Sequence, residues 1–393
     1  MAKKNKIERI LPTRMASLFA GIGGFELAFQ QIGVPTSLVC EIDPIAQHIL
    51  RKNLPESHLC GDICDLESLP ANVNIVCAGF PCQDISTIGF KQGMSGTRSS
   101  LIKEVFRLLR QAHIEWVIIE NVTNMLHLNK GEIIRTIVEE LENQGYNWAY
   151  RTIDSMAFVP QHRCRVYVVA SLHSDPRDVL LSGNSEKEQG VITSDTFDEA
   201  CGFYWTEGKY AIGLYQNGIP TLKCGSTIGI PSPPAIAFPN GEVSCPDIRD
   251  AERLQGFPVD WTKPAEDLAK PSARWKLVGN AVTVDTVSWI AHKIIQPEAY
   301  NAANDIKLGK KWPAAAWGIK GERYSSAASV YPVEREEISL QDYLQFPRKP
   351  LSLKAAKGFE HRLSVGTVRC PQFFTEAIHN YVIINSYNST LIL

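Results

Sequence analysis

Short apolar runs alternate with amphipathic segments through the first 171 residues, and this alternation limits the possible folds more than any other feature of the chain. The apolar runs predict β-strands at 15–20, 37–43, 58–63, 73–80, 115–122 and 165–171. Segments with apolar residues at helical spacing predict helices at 24–33, 44–54, 99–112 and 131–145. Strand–helix alternation of this kind predicts an α/β fold with a parallel, doubly wound sheet.

Residues suited to chemistry lie where several of the predicted strands end. A glycine-rich turn (19–24) follows the first strand, Glu41 lies at the end of the second and Asp62 at the end of the third. Cys82 follows the fourth strand and Glu120 lies near the end of the fifth. Because ligands of doubly wound sheets bind beyond the carboxyl ends of the strands, we expect these residues to line one edge of the sheet.

The turn FAGIGG (19–24) favours a nucleotide-like cofactor, because glycine lets the backbone approach a ligand closely and leaves helix N–H groups free. The dinucleotide fingerprint requires a third small residue at position 26, where Glu26 would repel a pyrophosphate. Glu41 can accept hydrogen bonds from ribose hydroxyls, and Asp62 can accept one from an adenine amino group. Adenosine without phosphate suggests S-adenosylmethionine and disfavours an NAD oxidoreductase, although each acid alone would also suit a solvated loop.

The composition is that of a soluble globular protein, with 44% hydrophobic and 21% charged residues among 393. A chain of this length predicts two or three domains. The longest apolar runs are too short to cross a bilayer, and no apolar signal core follows the basic N-terminus, so we expect a cytoplasmic protein. The net charge of −2 gives no indication of a nucleic-acid partner. A protein whose net charge is near zero can still have one basic cleft that binds nucleic acid.

The 10 cysteines contain no CxxC pair, and a cytosolic chain keeps its cysteines reduced. His58, Cys60 and Cys64 lack the second pair of ligands that zinc sites usually have, so we expect no metal site. Cys77, inside the fourth strand, is expected to be a packed core thiol.

A set of sequence blocks occurs in one order along the chain, between residues 13 and 296. The blocks are SLFAGIGGFELAF, EIDP, GDI, GFPCQDIS, ENV, QHRCRVY, RDAERLQGFP and GNAVTV. In this order and with these gaps, the chain resembles the cytosine-C5 DNA methyltransferase family, in the form of a bacterial modification methylase. The resemblance implies a Rossmann-like, S-adenosylmethionine-dependent catalytic domain with a smaller, irregular target recognition domain and a C-terminal extension.

The resemblance also implies a role for each residue of a catalytic set. Cys82 would add to C6 of cytosine, which turns C5 into a nucleophilic enamine carbon. Glu120 would protonate or hydrogen-bond N3 and meet the exocyclic amine, and Arg165 would bind the O2 carbonyl. Arg163 would support the loop that carries Cys82 and would contact the DNA backbone. The alternatives are a packed core thiol at position 82 and surface salt bridges for the two arginines.

A larger set of residues is implied by the resemblance to bind the cofactor. These residues are Phe19, Ala20, Gly21, Gly23, Gly24, Phe25, Glu41, Ile42, Asp62, Ile63, Pro81, Leu101, Asn280 and Ala281. Asn280 belongs to the segment 272–294, which we expect to form one helix that folds back against the first block.

The target cytosine must leave the duplex, because a stacked base exposes neither C6 nor its faces. The segment 84–100 is similar to a mobile loop of the family, which implies a lid over the DNA; a plain linker is the alternative. The DNA contacts implied by the resemblance are Gln83, Ser86, Arg98 and Thr221.

The resemblance divides the chain into functional segments. They are a first part of the catalytic domain (13–171), the target recognition domain (172–248), the returning part of the catalytic domain (249–296) and the C-terminal extension (297–393). Phe203, Tyr204 and Trp205 are expected to form the core of the recognition domain rather than touch bases. The extension mixes basic and aromatic residues, which suits either a grip on a phosphate backbone or a small domain packed on the recognition domain.

Together these expectations favour an S-adenosylmethionine-dependent DNA cytosine-C5 methyltransferase that modifies a short site in double-stranded DNA. The same chemistry on RNA and a catalytically silent DNA-binding homologue are the alternatives. The sizeable region between QHRCRVY and RDAERLQGFP favours DNA, and the intact catalytic set argues against a silent homologue. We expect a monomer on DNA in the bacterial cytosol and nucleoid, away from membranes, alongside a restriction endonuclease with the same site.

Overall fold

The computed structural model describes residues 11–81, 101–186, 190–192, 195–223, 233–336 and 338–390. By contact, the chain divides into two compact units. The first unit consists of Met1–Asp154, Cys164–Glu186 and Val282–Val333, and the second unit consists of Ser155–Arg163, Lys187–Ala281 and Glu334–Leu393. The functional segments expected from the sequence have other boundaries, and their assignment stays a prediction.

The strands are β1 (Met15–Leu18), β2 (Thr36–Cys40), β3 (His58–Cys60), β4 (Ile75–Ala78), β5 (Trp116–Val122), β6 (Asn147–Asp154), β7 (Cys164–Ser171), β8 (Cys201–Phe203), β9 (Tyr215–Gln216), β10 (Ala235–Ala237), β11 (Val243–Cys245), β12 (Ile306–Lys307), β13 (Ala315–Ile319), β14 (Glu322–Ser325) and β15 (Lys349–Pro350). The helices are α1 (Gly24–Gln30), α2 (Pro44–Asn53), α3 (Leu101–Gln111), α4 (Glu132–Asn143), α5 (Pro176–Leu180), α6 (Ile248–Leu254), α7 (Ala273–Asn280), α8 (Val284–Ile295), α9 (Leu340–Tyr343), α10 (Leu353–Val365) and α11 (Gln372–Thr390). Within the described residues, none of these helices combines the length and the apolar character of a membrane span.

The sheet of the first unit is 10-stranded within the described residues, in the order β12-β14-β13-β6-β7-β5-β4-β1-β2-β3. The neighbours β5, β4, β1, β2 and β3 run parallel to one another. β7 is antiparallel to β5 and β6, and β13 is antiparallel to β6 and β14. β4 is buried along its whole length and β5 along nearly all of it, as the strands of a parallel sheet covered on both faces require.

The apolar stripes predicted for 99–112 and 131–145 form α3 and α4, and both helices pack in one hydrophobic cluster with the strands. α4 ends at Asn143, two residues before the predicted stop, Gly145, which has φ +86. The Gly145 N–H donates to Glu142 O (2.9 Å), and the Tyr146 N–H donates to Leu141 O (3.0 Å). These bonds satisfy carbonyls that the helix end would otherwise leave without partners.

The strand RVYVVAS, predicted to continue a parallel sheet, is antiparallel in the structure, where it forms β7. The structure also contains β6, which the sequence pattern did not predict. Arg151 interrupts the apolar character of β6, yet this side chain is fully buried. Its guanidinium donates to Ser329 O (2.7 Å), Gly183 O (3.0 Å) and Leu180 O (3.1 Å), and these bonds compensate for the burial of the charge.

The segment 272–294, expected to be one helix, forms α7 and α8 instead. The chain leaves the helical conformation at Ala281, whose φ of −67 and ψ of 153 are extended. α8 packs against α1, and Ser288 Oγ donates to Gln31 Oε1 (2.6 Å). The expected return of the chain to the first sequence block is therefore confirmed for α8.

Residues 306–325 extend the sheet of the first unit through β12, β13 and β14. Trp312 is buried in the main hydrophobic cluster. Trp317 is also buried, donates through Nε1 to Asp305 Oδ2 (2.7 Å) and stacks on Tyr324 with the ring centroids 4.5 Å apart. These aromatic side chains are thus part of the packing, which argues against the grip on a phosphate backbone that was one interpretation of this segment.

The second unit contains a smaller, antiparallel sheet in the order β15-β11-β10-β8-β9. Phe203 of β8 is fully buried, and its ring centroid lies 4.8 Å from that of Phe359 and 5.0 Å from that of Phe374. Tyr204 is also buried, and Trp205 packs against the same cluster. The prediction that these aromatic residues form a small-domain core is confirmed.

A methyl group added at Gly318 should destabilise the first unit. A Cβ there would lie 2.5 Å from the Trp148 ring, at a position where β13 pairs with β6, and overpacking of this kind costs about 1–3 kcal/mol. Urea unfolding of Gly318→Ala should show this loss of stability. Gly309→Ala is the control, because a Cβ at Gly309 would meet no heavy atom within 4 Å. Equal stability of the two variants would contradict the packing of β13 on β6.

Candidate active site

The turn that follows β1 has open space beside it. Gly21 has φ +58, and a Cβ at this residue would meet no heavy atom within 4 Å. The Ala20 N–H donates to Cys40 O (2.9 Å), which ties the turn to the end of β2. Phe19 also has a left-handed backbone (φ +60), which is unfavourable for a bulky residue and which the sequence did not predict.

Glu41, just beyond β2, holds this turn in place. Its Oε2 accepts a hydrogen bond from the Gly21 N–H (2.7 Å), and its Oε1 accepts one from the Asp43 N–H (2.8 Å). Burial raises the pKa of the Glu41 carboxyl, although these N–H donors oppose the shift. Because a carboxylate has about four lone-pair positions, it can accept further hydrogen bonds from ribose hydroxyls.

Two more of the predicted cofactor residues lie at the ends of β2 and β3. Ile42 is 69% exposed, which leaves an apolar side chain free to cover a flat aromatic ring. Asp62 Oδ1 accepts from the Cys64 N–H (2.9 Å), which orients the carboxyl at the end of β3. Ile63 is buried next to it, and Leu101 packs against the edge of the main cluster.

These side chains fit the adenosine part of S-adenosylmethionine, since they offer a carboxylate for the ribose and an apolar cover for the adenine. Glu26 was expected to repel a pyrophosphate at the glycine turn. The structure does not support that reason, because the Glu26 side chain is fully buried in α1. The fit to an adenosine therefore rests on Glu41 and Ile42.

The chain that leads to the predicted nucleophile is described as far as Pro81, which is exposed. The predicted site residues that lie outside the described residues are Cys82, Gln83, Ser86 and Arg98. Asn121 Nδ2 donates to Phe80 O (3.0 Å), so a buried amide on β5 fixes the backbone immediately before Pro81.

Glu120 lies at the same edge of the sheet as the glycine turn. A Cβ at Gly79 would lie 3.6 Å from Glu120 Oε2 and 3.8 Å from Phe25 Cε2. Gly79 therefore separates the carboxyl group of β5 from the first residues of α1. The predicted catalytic acid and the predicted cofactor turn are neighbours within the first unit.

Arg165 pairs directly with Glu120. The distance from Arg165 Nε to Glu120 Oε1 is 3.2 Å, and the two side chains are only 15% and 11% exposed. The antiparallel register of β5 and β7 sets Arg165 opposite Val122, at the carboxyl end of β5. The arrangement presents a carboxyl group and a guanidinium group side by side at the edge where ligands bind.

Arg163 is buried in the second unit and is 3% exposed. Its guanidinium donates to Ala281 O (2.7 Å), Gly279 O (3.2 Å) and Leu222 O (3.4 Å). The alternative of a surface salt bridge is therefore wrong for Arg163. Its expected support of the cysteine loop and the DNA backbone stays a prediction.

The second unit also holds Thr221, Asn280 and Ala281. Asn280 is exposed at the end of α7, whereas Ala281 is buried. Thr221 Oγ1 donates to His162 O (2.7 Å). A hydroxyl carries one proton, so the predicted contact of Thr221 with a phosphate oxygen requires this hydrogen bond to be exchanged.

Cys77 has the packed environment expected from the sequence. It is fully buried in β4, and burial raises the pKa of its thiol well above the usual range. A thiol of this kind is a poor nucleophile, because the thiolate is the reactive form.

Comparison with known proteins assigns the chain to a family. Residues 13–209 match the family model described as C-5 cytosine-specific DNA methylase. The chain belongs to this family. The type II methyltransferase M2.BsuMI of Bacillus subtilis is 42% identical over 358 residues, which cover 88% of this chain and 92% of that protein.

A second relative agrees with the assignment, and a solved structure agrees with the fold. The type II methyltransferase M.NlaX of Neisseria lactamica is 30% identical and is matched over 75% of this chain and 99% of that protein. The crystal structure of S. pombe Dnmt2 methyltransferase has a TM-score of 0.55 at 17% identity, covering 72% of this chain and 98% of that chain, and so shows a shared fold.

The protein is therefore a DNA cytosine-C5 methyltransferase with S-adenosylmethionine as its cofactor. The predictions of family, α/β fold class, enzymatic activity and cofactor are confirmed. The roles of individual residues and the functions of the chain segments stay predictions.

In each unit, buried amides hold the backbone near predicted site residues, and the sequence did not reveal them. Asn121 fixes the backbone at Phe80, and Gln161 and Gln255 share a hydrogen bond inside the second unit. Each lies within one of the sequence blocks ENV, QHRCRVY and RDAERLQGFP. The one signal for Asn121 was a polar side chain next to Glu120 in an otherwise apolar run; Gln161 and Gln255 gave none, because their partners are distant in the sequence.

The stability of the methyltransferase should depend on the ionisation of Glu26. Burial raises the pKa of Glu26 to about 7, whereas glutamate in an unfolded chain ionises near 4.5. The unfolded state therefore loses its proton first, and the folded state loses up to about 3 kcal/mol of stability as the pH rises through this window. Below about pH 4.5, the folded state keeps all of this stability. Above about pH 7, all of it has been lost.

Glu26→Gln removes this titration while keeping the shape of the side chain. Urea unfolding of both proteins across the pH window should show wild type losing stability relative to Glu26→Gln as the pH rises, with a constant difference above about pH 7. Parallel stability profiles for the two proteins would exclude a buried, neutral Glu26.

Proposed function

We propose that this methyltransferase modifies a short, specific site in double-stranded DNA as part of a type II restriction–modification system. The proposal is supported by its relatives M2.BsuMI and M.NlaX, which are type II methyltransferases. Its partner would be a restriction endonuclease that acts on the same site. The enzyme would work as a monomer on DNA, in the bacterial cytosol and nucleoid.

In the proposed reaction, the target cytosine first leaves the duplex. The Cys82 thiolate adds to C6, and Glu120 gives N3 a proton or a strong hydrogen bond, so that C5 becomes nucleophilic. C5 would then bond to the methyl group, whose bond to the donor sulfonium sulfur breaks, so that S-adenosylhomocysteine is the leaving group. A base removes the C5 proton, the C5–C6 double bond re-forms, the thiolate leaves, and N3 returns its proton to Glu120.

S-adenosylmethionine, when bound, supplies an electrophilic methyl group on its sulfonium. Glu41 would accept hydrogen bonds from the ribose hydroxyls, Ile42 would cover the adenine, and Asp62 would accept from the adenine amino group. Gly21 leaves room for the cofactor to approach the backbone. Phe19, Asn280 and Ala281 are assigned to the cofactor by their resemblance to family positions.

The Glu120–Arg165 pair is the observation that carries the proposal. N3, the exocyclic amine and the O2 carbonyl of cytosine lie along one edge of the ring, and a carboxyl group beside a guanidinium group is complementary to that edge. The pair is largely buried, so the cost of removing it from water has already been met before a base arrives. The adjacent glycine turn supports a methyl donor at the same edge.

A covalent adduct should form between Cys82 and a DNA duplex that carries 5-fluorocytosine at the target position. Fluorine cannot leave C5 as a proton does, so the thiolate stays bonded to C6 after methyl transfer. Peptide mass mapping should locate the adduct on Cys82. Cys82→Ala should give no adduct and no turnover while still binding S-adenosylmethionine.

Cys370→Ala is the matched control, because Cys370 lies in the second unit outside the predicted site, and it should form the adduct normally. A transfer RNA offered in parallel should not be methylated. Mapping of the adduct to another cysteine, or turnover by Cys82→Ala, would overturn the proposed mechanism.

Glu120→Gln should slow methyl transfer by about 10²–10⁴-fold, because an amide cannot pass a proton to N3. The rate should be measured in a single turnover with saturating DNA and cofactor, so that binding does not limit it. Glu322→Gln, an exposed change on β14, should keep the wild-type rate. A near-normal rate for Glu120→Gln would remove the residue from the chemical step.

A further inference from the structure

Two buried glutamines share a hydrogen bond in the second unit. Gln161 Nε2 donates to Gln255 Oε1 (3.0 Å) and to Leu254 O (2.8 Å). Gln161 Oε1 accepts from the Leu222 N–H (2.9 Å). Both side chains are fully buried, so the hydrogen bonds of these amides are made inside the protein. We call Gln161 and Gln255 the glutamine clamp.

The glutamine clamp also holds the end of α7. Gln255 Nε2 donates to Val278 O (3.0 Å) and to Ala281 O (3.2 Å). The Arg163 guanidinium also donates to two carbonyls at this helix end, Gly279 O and Ala281 O. The last carbonyls of a helix have no intrahelical donor, so these side chains determine how the chain leaves α7 at Asn280.

Each amide of the clamp can have only one orientation. The Leu222 N–H is a donor and must face Gln161 Oε1, whereas Leu254 O is an acceptor and must face Gln161 Nε2. Val278 O likewise requires Gln255 Nε2, which turns Gln255 Oε1 toward Gln161. The bonds therefore form one continuous, polarised chain from Leu222 to the end of α7.

This series of hydrogen bonds joins two segments of the protein that have different predicted binding partners. Leu222 follows Thr221, which is predicted to contact a DNA phosphate, and its carbonyl is held by Arg163. Asn280 and Ala281 are predicted to contact the cofactor. The shared hydrogen bond connects residues 94 positions apart, which fixes the two segments relative to each other within the second unit.

We propose that Gln161 and Gln255 are positioning residues that couple the DNA-contacting segment 221–222 to the cofactor-contacting segment 279–281. The inference rests on the proposed function, because it takes the partners of both segments from there. Neither glutamine touches a substrate; each acts through the backbone that it holds. Loss of either one should therefore impair the binding of both DNA and S-adenosylmethionine.

The test uses Gln161→Met and Gln255→Met, which keep the approximate volume of the side chain and remove its hydrogen bonds. Gln255→Met should raise the calorimetric Kd for S-adenosylmethionine about tenfold, because it frees the carbonyls next to Asn280. Gln161→Met should raise the KM for DNA by a similar factor. Each variant should also weaken binding of the other ligand, and this crossed effect is the signature of coupling.

The double variant separates coupling from two independent effects. Because the glutamines share a bond, Gln161→Met/Gln255→Met should be no worse than about the more severe single variant. Losses that multiply, or a lower melting temperature with unchanged Kd, KM and kcat, would overturn the proposal. Gln341→Met, an exposed change in the same unit, is the matched control and should match wild type in all readouts.

A second variant covers the case in which a methionine variant does not fold. Gln161→Glu keeps the acceptor for the Leu222 N–H, whereas its carboxylate form has no donor for Leu254 O and Gln255 and brings a negative charge to them. It should show the same crossed effect, and its absence would contradict the coupling. If wild type itself transfers no methyl group to DNA, the proposed function fails, whereas the Kd for S-adenosylmethionine still tests the clamp.

Discussion

The antiparallel pairing of β7 with β5 is the constraint on which the catalytic edge depends. It brings the first residues of β7 to the carboxyl end of β5, where Arg165 lies 3.2 Å from Glu120. A parallel β7 would begin at the opposite edge of the sheet, away from the glycine turn and from the strand that leads to Cys82. The reversal in turn depends on β6, which pairs with β7 along its whole length.

In each unit taken by itself, the backbone near predicted site residues is held by a buried or half-buried polar side chain rather than by a regular element. Glu41 ties the turn at Gly21 to the end of β2 through its carboxyl group. The glutamine clamp does the same for the end of α7 and for Leu222. Such bonds leave flexible turns in one conformation before a ligand arrives, so binding costs less conformational entropy.

Local pattern was sufficient to predict the parallel strands, because strands buried on both faces are apolar throughout. It failed at β6, where burial of Arg151 depends on the carbonyls of Ser329 and other distant residues. It also misjudged Glu26, since nothing in the sequence separates a buried carboxyl from one that faces a ligand. The sequence predicts that Glu120 and Arg165 lie at the same edge of the sheet. Their direct contact depends on the antiparallel direction of β7, which the periodicity of the sequence does not reveal.

The most direct test of the proposed covalent complex is a crystal structure. It would contain the methyltransferase, S-adenosylhomocysteine and a DNA duplex that carries 5-fluorocytosine at the target position. We expect a pyrimidine outside the DNA helix, bonded through C6 to Cys82, with N3 hydrogen-bonded to Glu120 and O2 to Arg165. A pyrimidine bound elsewhere on the protein, or one whose N3 and O2 face neither of these side chains, would contradict it.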